Sequence, residues 1–370
     1  MTSPACPSEG PQSDPPGVVV AGHLCVDLVP QLPPAGVAAE PGALVEVGPL
    51  IMQPGGSVFN TGWALATLGV STTAIAHIGD DPLGRYVHTE LAARGITPHL
   101  TPRPTEATPY SLVIESATRD RAFLHHVGAA ASFTGDAVGE ITAPLFHLGY
   151  PPVLPALIAD DGRKLTALLR RVHHTGVSTS MDLAVVDAAS PVSRLDWVAI
   201  LTASLPYTDV ISPSIDDLVS IGVAAGSAPA DIEEATRWLL DRGAAVAMVS
   251  AGRAGAFLAT ASRERLDTAG RAVAGNAAIW NTHEVWIDTQ LVDRPVSTNG
   301  AGDTLTAGLL YGLLQQWNPA DTGYFAARLA AARIQGEPLT TAREDCEHTN
   351  NDCGSTHKTH DTVEINDSTS

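Results

Sequence analysis

Short apolar runs alternate with amphipathic stretches along most of the chain. The apolar runs predict strands at residues 18–21, 71–78, 146–148, 177–183, 210–211 and 245–250. Apolar positions that repeat with helical spacing predict helices at residues 57–68, 86–94, 154–172, 231–241 and 303–316. Ser57 is the expected cap of the first helix and Gly69 its stop. This alternation is typical of a doubly wound α/β fold, with a mostly parallel sheet covered by helices on both faces.

Two segments interrupt this alternation. Residues 28–53 are rich in proline and glycine, and residues 108–126 form two β-like runs around a turn near 118–120. We expect both segments to form a small β lid beside the main sheet. Residues 1–16 and 337–370 are polar, and the second stretch is also acidic. Because neither holds enough apolar residues to fold alone, we expect two flexible tails around one domain at residues 17–336.

The composition supports a sizeable core and limits the partners. The chain has 370 residues, of which 44% are hydrophobic and 16% are charged. Its formal net charge of −19 excludes a general nucleic-acid binder, because such proteins need a basic surface to displace counterions. No apolar run reaches the roughly 18–20 residues that span a bilayer, and the first residues lack the basic region of a secretory signal. We therefore expect a cytoplasmic protein without a membrane partner, whose four cysteines are free thiols.

The strongest chemical signal is the run STNGAGD at residues 297–303, just before the last long predicted helix. Small residues at Gly300, Ala301 and Gly302 let the backbone approach a ligand closely, and the first N–H groups of the helix form an anion site. Asp303 could take a proton from a hydroxyl while these N–H groups hold phosphoryl charge. We expect the helix dipole to keep Asp303 ionised and only weakly basic. An ordinary glycine-rich helix start is the alternative interpretation.

A second cluster is PGGSVFN at residues 54–60. Gly55 and Gly56 predict a turn that exposes backbone N–H groups, and Asn60 lies one turn into the following helix. An amide side chain is both donor and acceptor, which suits a vicinal diol. Asp27, just after the first predicted strand, could accept hydrogen bonds from sugar hydroxyls. The alternatives are a helix-entry turn with a surface Asn60, and a turn residue at Asp27.

Two common nucleotide-binding motifs are excluded by the sequence. Only Lys164 and Lys358 are lysines, and neither follows a GxxxxGK[ST] loop. A GxGxxG fingerprint between a strand and a helix is also absent, since Gly252 and Gly255 lie between two predicted strands. A phosphate-contacting hairpin remains possible at those two glycines.

Together these segments resemble the ribokinase/PfkB family of carbohydrate and nucleoside kinases over residues 17–336. The matching segments are VVVAGHLCVDL at 18–28, GGSVFNTGWALATLG at 55–69, HIGDDPLG at 77–84, lid-like residues 107–129, and STNGAGDTLTAGLLYGLL at 297–314. The GAGD motif after alternating strands and helices is the most specific of these. The resemblance implies a ribokinase-like fold with a small β lid, and ATP-dependent phosphoryl transfer.

The resemblance also implies a role for each matching residue. Asp303 would activate the acceptor hydroxyl, and Gly300, Ala301 and Gly302 would form the anion hole. The residues that would hold the acceptor are Asp27, Gly55, Gly56 and Asn60. The residues that would contact the nucleotide are Ser214, Asp217, Ser250, Gly252, Gly255 and Asn299. ATP would bind with Mg²⁺, which Asp217 would organise through water.

Four residues depart from the family pattern, of which Gly62 replaces the usual Ala after Asn60. Ser214 and Asp217 stand at the Asn-x-x-Glu positions, so the carboxylate is one methylene shorter. Ser297 stands where many members carry an Asp that helps to hold a monovalent cation, so the resemblance does not extend to activation by K⁺. By resemblance, a homodimer through the exposed lid strands is also expected.

The main hypothesis is an ATP-dependent kinase that transfers the γ-phosphoryl group to a hydroxyl of a sugar or related polyol. A binding-only sensor for a sugar or nucleoside is a second hypothesis, motivated by the departures at Ser214, Asp217 and Ser297. A nucleoside kinase also remains open. So does a kinase for a phosphorylated sugar, with cations over that phosphate from Arg103, Arg119 or Arg121.

Overall fold

The computed structural model describes residues 17–33, 41–42, 44–116, 119–290, 292 and 295–342. Its strands are, in chain order, β1 (Gly17–Gly22), β2 (Cys25–Pro30), β3 (Leu50–Gly55), β4 (Ser71–Gly79), β5 (Ile96–Arg103), β6 (Tyr110–Ser116), β7 (Arg119–His126), β8 (Leu145–Gly149), β9 (Ser178–Asp182), β10 (Val210–Ile211), β11 (Val246–Ser250), β12 (Ala256–Thr260) and β13 (Glu284–Ile287).

The helices lie between these strands and after the last one. They are α1 (Ser57–Thr67), α2 (Pro82–Ala93), α3 (Pro155–His173), α4 (Trp197–Ser204), α5 (Ile215–Ser220), α6 (Pro229–Asp241), α7 (Arg263–Asp267), α8 (Arg271–Ala274), α9 (Ala277–Trp280), α10 (Ala301–Leu314) and α11 (Pro319–Gln335).

The larger sheet has the order β13-β12-β11-β10-β9-β8-β1-β4-β5. Its strands pair in parallel, except that β12 pairs antiparallel with β11 and with β13. In β1, Val18 and Val20 enter the apolar core on one face, whereas Ala21 enters the core on the other. The predicted doubly wound, mostly parallel sheet is therefore confirmed.

The smaller sheet forms the lid, with the order β3-β2-β6-β7. Strand β2 pairs antiparallel with β3 and in parallel with β6, and β6 pairs antiparallel with β7. Both predicted lid segments take part in this sheet, but its first strand begins at Cys25 rather than at residue 28.

Some local expectations were wrong for identifiable reasons. The apolar run at residues 18–28 forms two strands in two different sheets, so Asp27 lies inside β2 rather than at the end of the first core strand. Ser57 does not cap α1; Gly56 is the N-cap, and the Ser57 hydroxyl lies 3.1 Å from Nε2 of His147. Helix α2 begins four residues before Tyr86, because Asp81 caps it through the N–H of Gly84.

The expected boundary of the C-terminal tail at residue 337 was also too early. Leu339 and Ala342 are buried in the core cluster that packs against α10 and α11. The expectations for residues 1–16 and for residues 343–370 lie outside the described residues. None of the helices in the described part is long and apolar enough to cross a bilayer.

Candidate active site

Several predicted site residues meet where the lid lies over the carboxyl edge of the larger sheet. In doubly wound folds this edge is where ligands bind. Four elements reach this edge, as the hydrogen bonds below show: the start of α1, the end of β8, the middle of β2 and the start of α10. Residues separated by more than 240 positions in the sequence are direct neighbours there.

Asp303 lies in the first turn of α10 and is almost completely buried. Its Oδ2 accepts a hydrogen bond from Nδ2 of Asn60 at 2.9 Å and another from the hydroxyl of Tyr150 at 2.9 Å. The hydroxyl of Thr61 approaches Oδ1 at 3.4 Å. Asn60 and Asp303, which belong to separate motifs in the sequence, are therefore direct neighbours, with the amide bound to the carboxylate.

The acid–base character of Asp303 differs from the expectation. Burial raises the pKa of the Asp303 carboxyl, and the hydrogen bonds from Asn60 and Tyr150 oppose that rise only in part. The expectation of a weakly basic carboxylate was wrong, because desolvation was not visible in the sequence. A raised pKa makes Asp303 a better proton acceptor once it is ionised.

The glycine turn before α10 has the geometry of an anion site. Gly300 is the N-cap at φ +74°, and a Cβ there would lie 3.0 Å from the amide carbon of Asn60. A larger residue would thus be strained and would push Asn60 from Asp303. Ala301 and Gly302 line a cavity, and the place of a Cβ at Gly302 has nothing within 4 Å. The first N–H groups of a helix carry the positive end of its dipole.

Asp27 is buried on the lid side of the same space. Its Oδ2 accepts a hydrogen bond from Nδ2 of Asn299 at 2.8 Å, so the Asn299 side chain lies toward Asp27 rather than toward the cavity. A Cβ on Gly55 would lie about 2.5 Å from the Asp27 carboxylate, so only glycine fits beside it. Burial raises the pKa of Asp27, and the bond from Asn299 opposes this.

The cavity beside the anion turn brings together three more of the predicted residues. It measures about 140 Å³, and its lining includes Ser250, Gly252 and Gly255 together with Ala301 and Gly302. Gly252 and Gly255 form a tight turn between β11 and β12, as expected from their position between two strands.

Ser214 and Asp217 cap α5 reciprocally. The N–H of Ser214 donates to Oδ2 of Asp217 at 2.7 Å, and the N–H of Asp217 donates to the hydroxyl of Ser214 at 3.2 Å. The backbone of Ser214 also forms an isolated parallel β-bridge with Ser250, which lines the cavity. Burial raises the pKa of Asp217 to about 6.

The carboxylates of the site provide a donor set that suits Mg²⁺. Burial raises the pKa of the Asp182 carboxyl. Repulsion from the buried carboxylates of Asp303 and Asp217 raises it further. One oxygen of Asp182 and one of Asp217 accept backbone N–H groups, which leaves the other oxygens free of those bonds. Mg²⁺ keeps several waters and needs only one or two carboxylates beside phosphate oxygens. In the described residues no three ligating side chains are close enough to hold a metal by themselves.

Several residues of the site were missed from the sequence. Tyr150 follows β8 in a left-handed conformation and donates to Asp303, and Asp182 is the last residue of β9 beside it. The available signals were a polar residue directly after a short buried strand for Tyr150, and a carboxylate near the end of a buried strand for Asp182. His125 on the lid, with its Nδ1 3.0 Å from the hydroxyl of Ser111, packs against His23. Neither histidine had a motif to mark it.

Arg333 was also missed, and nothing local to its sequence marks it. It lies in the last turn of α11, and its Nε donates to the carbonyl of Asn299 at 3.1 Å. Of the three arginines considered for a substrate phosphate, Arg103 is paired with Glu106 at 3.4 Å. The side chains of Arg119 and Arg121 lie outside the described part.

Comparison with known proteins gives a match over most of the chain. A family model described as pfkB family carbohydrate kinase matches residues 16–346. The 2-dehydro-3-deoxygluconokinase of Bacillus subtilis (strain 168) is 22% identical over 306 residues, covering 80% of this chain and 86% of that protein. The fructokinase of Salmonella typhimurium is 26% identical over 340 residues, covering 88% of this chain and 94% of that protein.

A solved structure shows the same fold. The ribokinase of Arabidopsis thaliana, complexed with ribose and ATP, superimposes with a TM-score of 0.68 at 17% identity. The match covers 90% of this chain and 99% of that one.

Proposed function

The chain belongs to the pfkB family of carbohydrate kinases, and we propose that Asp303 is the base of its phosphoryl transfer from ATP to a sugar hydroxyl. The observation that carries this assignment is the buried carboxylate of Asp303 at the start of α10, beside the open backbone of Gly302. The family gives no support to the alternative of a binding-only sensor.

In the proposed reaction the acceptor lies between Asp27 and Asp303. Asp303 takes the proton of the acceptor hydroxyl, whose oxygen forms a bond to the γ-phosphorus while the bond from that phosphorus to the bridging oxygen breaks. ADP leaves with the electron pair. The N–H group of Gly302 holds the charge on the transferred group, which is the main task in a loose transfer. The N–H of Ala301, also expected in the anion hole, donates to the carbonyl of Thr298 at 3.3 Å instead.

ATP would lie in the cavity lined by Ser250, Gly252 and Gly255, with its γ-phosphate toward α10. Mg²⁺ would supply charge neutralisation of the phosphates, and Asp217 would face it through water. Asn60 would act mainly by orienting Asp303, to which it is hydrogen-bonded. Asn299 would belong to the acceptor side, because its amide holds Asp27.

We also propose that two copies associate through their lids. The lid ends in two edge strands, β3 and β7, and carries exposed apolar residues such as Ile51 at 47% and Leu124 at 60% exposure. Exposed edges and apolar surface of this kind are normally covered in a folded protein.

The substitution Asp303→Asn tests the assigned base. It keeps the shape of the side chain and removes its basicity, so we expect kcat to fall by about 100- to 10,000-fold. The measurement is ATP-dependent product formation over a panel of sugars, sugar acids and nucleosides. Asp267→Asn is the matched control, because Asp267 pairs with Arg263 on the surface. Unchanged turnover in the Asp303 variant would remove the mechanism.

A further inference from the structure

Arg333 is held beside the acceptor space by two contacts. Its Nε donates to the carbonyl of Asn299, the residue whose amide binds Asp27. Its guanidinium carbon lies 5.2 Å from the centre of the Trp63 ring, one turn after Asn60 on α1. These contacts fix the plane of the guanidinium next to the turn that begins α10.

The terminal nitrogens of this guanidinium are unused within the described part of the chain. They make no hydrogen bond there, and no carboxylate among the described residues lies within the 4.0 Å of an ion pair. The charges of Asp27 and Asp303 nevertheless act on the half-buried group. By contrast, Arg237 and Arg265 each contact a carboxylate at about 3 Å. The guanidinium therefore keeps donors that the described residues leave unused, while the charges of Asp27 and Asp303 act on it.

Among the described residues near this part of the site, His23 and His125 add no positive charge. Burial lowers the pKa of His125 to about 4 and also lowers that of His23, so both rings are neutral at neutral pH. An anionic ligand beside Asp27 and Asp303 would be repelled unless a cation faced it. The guanidinium fork matches a carboxylate or phosphate with two parallel hydrogen bonds.

We propose that Arg333 binds an anionic group of the phosphoryl acceptor, so that the preferred acceptor is a sugar acid or a sugar phosphate rather than a neutral sugar. This inference rests on the proposed kinase function. The competing role is that Arg333 only offsets the charge of the two carboxylates. In that case its loss would weaken catalysis with every acceptor alike.

The experiment compares kcat/KM for three acceptors in the full chain with Mg-ATP. Fructose is neutral, fructose 6-phosphate adds a phosphate to the same sugar, and 2-dehydro-3-deoxygluconate carries a carboxylate. We expect the wild-type protein to prefer one anionic acceptor, and the preferred one identifies the anionic group. Arg333→Met should lower the ratio of anionic to neutral kcat/KM by about 10- to 100-fold, as expected for a lost charged hydrogen bond.

Two further variants serve as controls for this experiment. Arg328→Met is the control, since Arg328 lies on the same helix over the Tyr324 ring and outside the site, and it should leave the ratio unchanged. Arg333→Lys keeps the charge without the fork, so it should retain part of the preference.

Each outcome has a clear meaning. A wild-type preference for fructose, or an equal loss for all acceptors in the Arg333→Met variant, would overturn the inference and leave the kinase function standing. ATP consumption with none of the three acceptors or of a wider sugar panel would remove both.

Discussion

After the amide of Asn60, the hydroxyl of Tyr150 is the hydrogen-bond donor that most lowers the pKa of Asp303. It donates to Oδ2 at 2.9 Å and therefore favours the ionised form of a carboxyl whose pKa burial raises. Asp303 must be ionised to act as base, so activity should fall as the pH drops through its pKa. Removing this donor raises the pKa further and moves the acidic limb of the pH profile to higher pH.

The substitution Tyr150→Phe tests the direction of this pKa change. We expect the acidic limb of kcat to shift upward by about one pH unit, the scale of one charged hydrogen bond. Tyr207→Phe is the matched control, because Tyr207 packs against His173, away from the site. A downward shift, or an equal shift in the control, would show that Tyr150 does not tune the base.

Among the single residues of the site, the sequence predicted those that lie in motifs. It missed those that only the fold brings close to the site. Asp303, Asn60 and Gly55 lie in the short motifs that carry the family resemblance, which implies a shared site. Arg333 follows an ordinary helical repeat, and only the packing of α11 beside Trp63 places it next to the turn that begins α10. The pKa of Asp303 was misjudged for the same reason, because burial depends on the whole fold.

Among the elements, the junction between core and lid is held by the cap of α2. The carboxylate of Asp81 accepts the N–H of Thr108 at 2.7 Å, the Thr108 hydroxyl at 2.7 Å and the N–H of Gly84 at 2.8 Å. Strand β6 of the lid begins two residues after Thr108. One side chain therefore stabilises a core helix and anchors a lid strand.

Asp81→Ala should affect both stability and acceptor binding. We expect the free energy of unfolding to fall by about 1–2 kcal/mol from the lost cap, and the KM of the acceptor to rise more than the KM of ATP. Asp196→Ala is the control, because Asp196 caps α4 through Ala199 without contacting the lid. Denaturant unfolding and initial rates measure the two effects. If both variants changed the acceptor KM equally, Asp81 would have no special role at the lid.

Element types were predictable from the period of apolar residues, but their assignment to sheets was not. The sequence predicts a first strand at residues 18–21, but the separate strand β2 in the lid depends on its pairing with β3 and β6. The lid was predictable because proline, glycine and a turn interrupt the alternation of strands and helices.

For the whole molecule, the net charge and the lid surface act in opposite directions on self-association. Each chain carries a formal charge of −19, so two copies repel each other at low ionic strength. The exposed apolar side chains of β3 and β7 favour contact at all salt concentrations. Salt screens the repulsion, with a Debye length of about 10 Å at 0.1 M. A lid-to-lid dimer should therefore become tighter as salt is added.

Leu124→Glu tests the dimer, because it places a charge on the most exposed apolar side chain of β7. In sedimentation experiments at micromolar concentration, we expect the wild-type protein to be a dimer whose dissociation constant falls between low salt and about 0.2 M. The variant should be a monomer throughout, since the substitution removes apolar area and adds repulsion at the contact. Ile279→Glu is the matched control, because Ile279 is 52% exposed on α9, outside the lid. A dimer that survives in the Leu124 variant and dissociates in the Ile279 variant would place the interface on another face of the molecule.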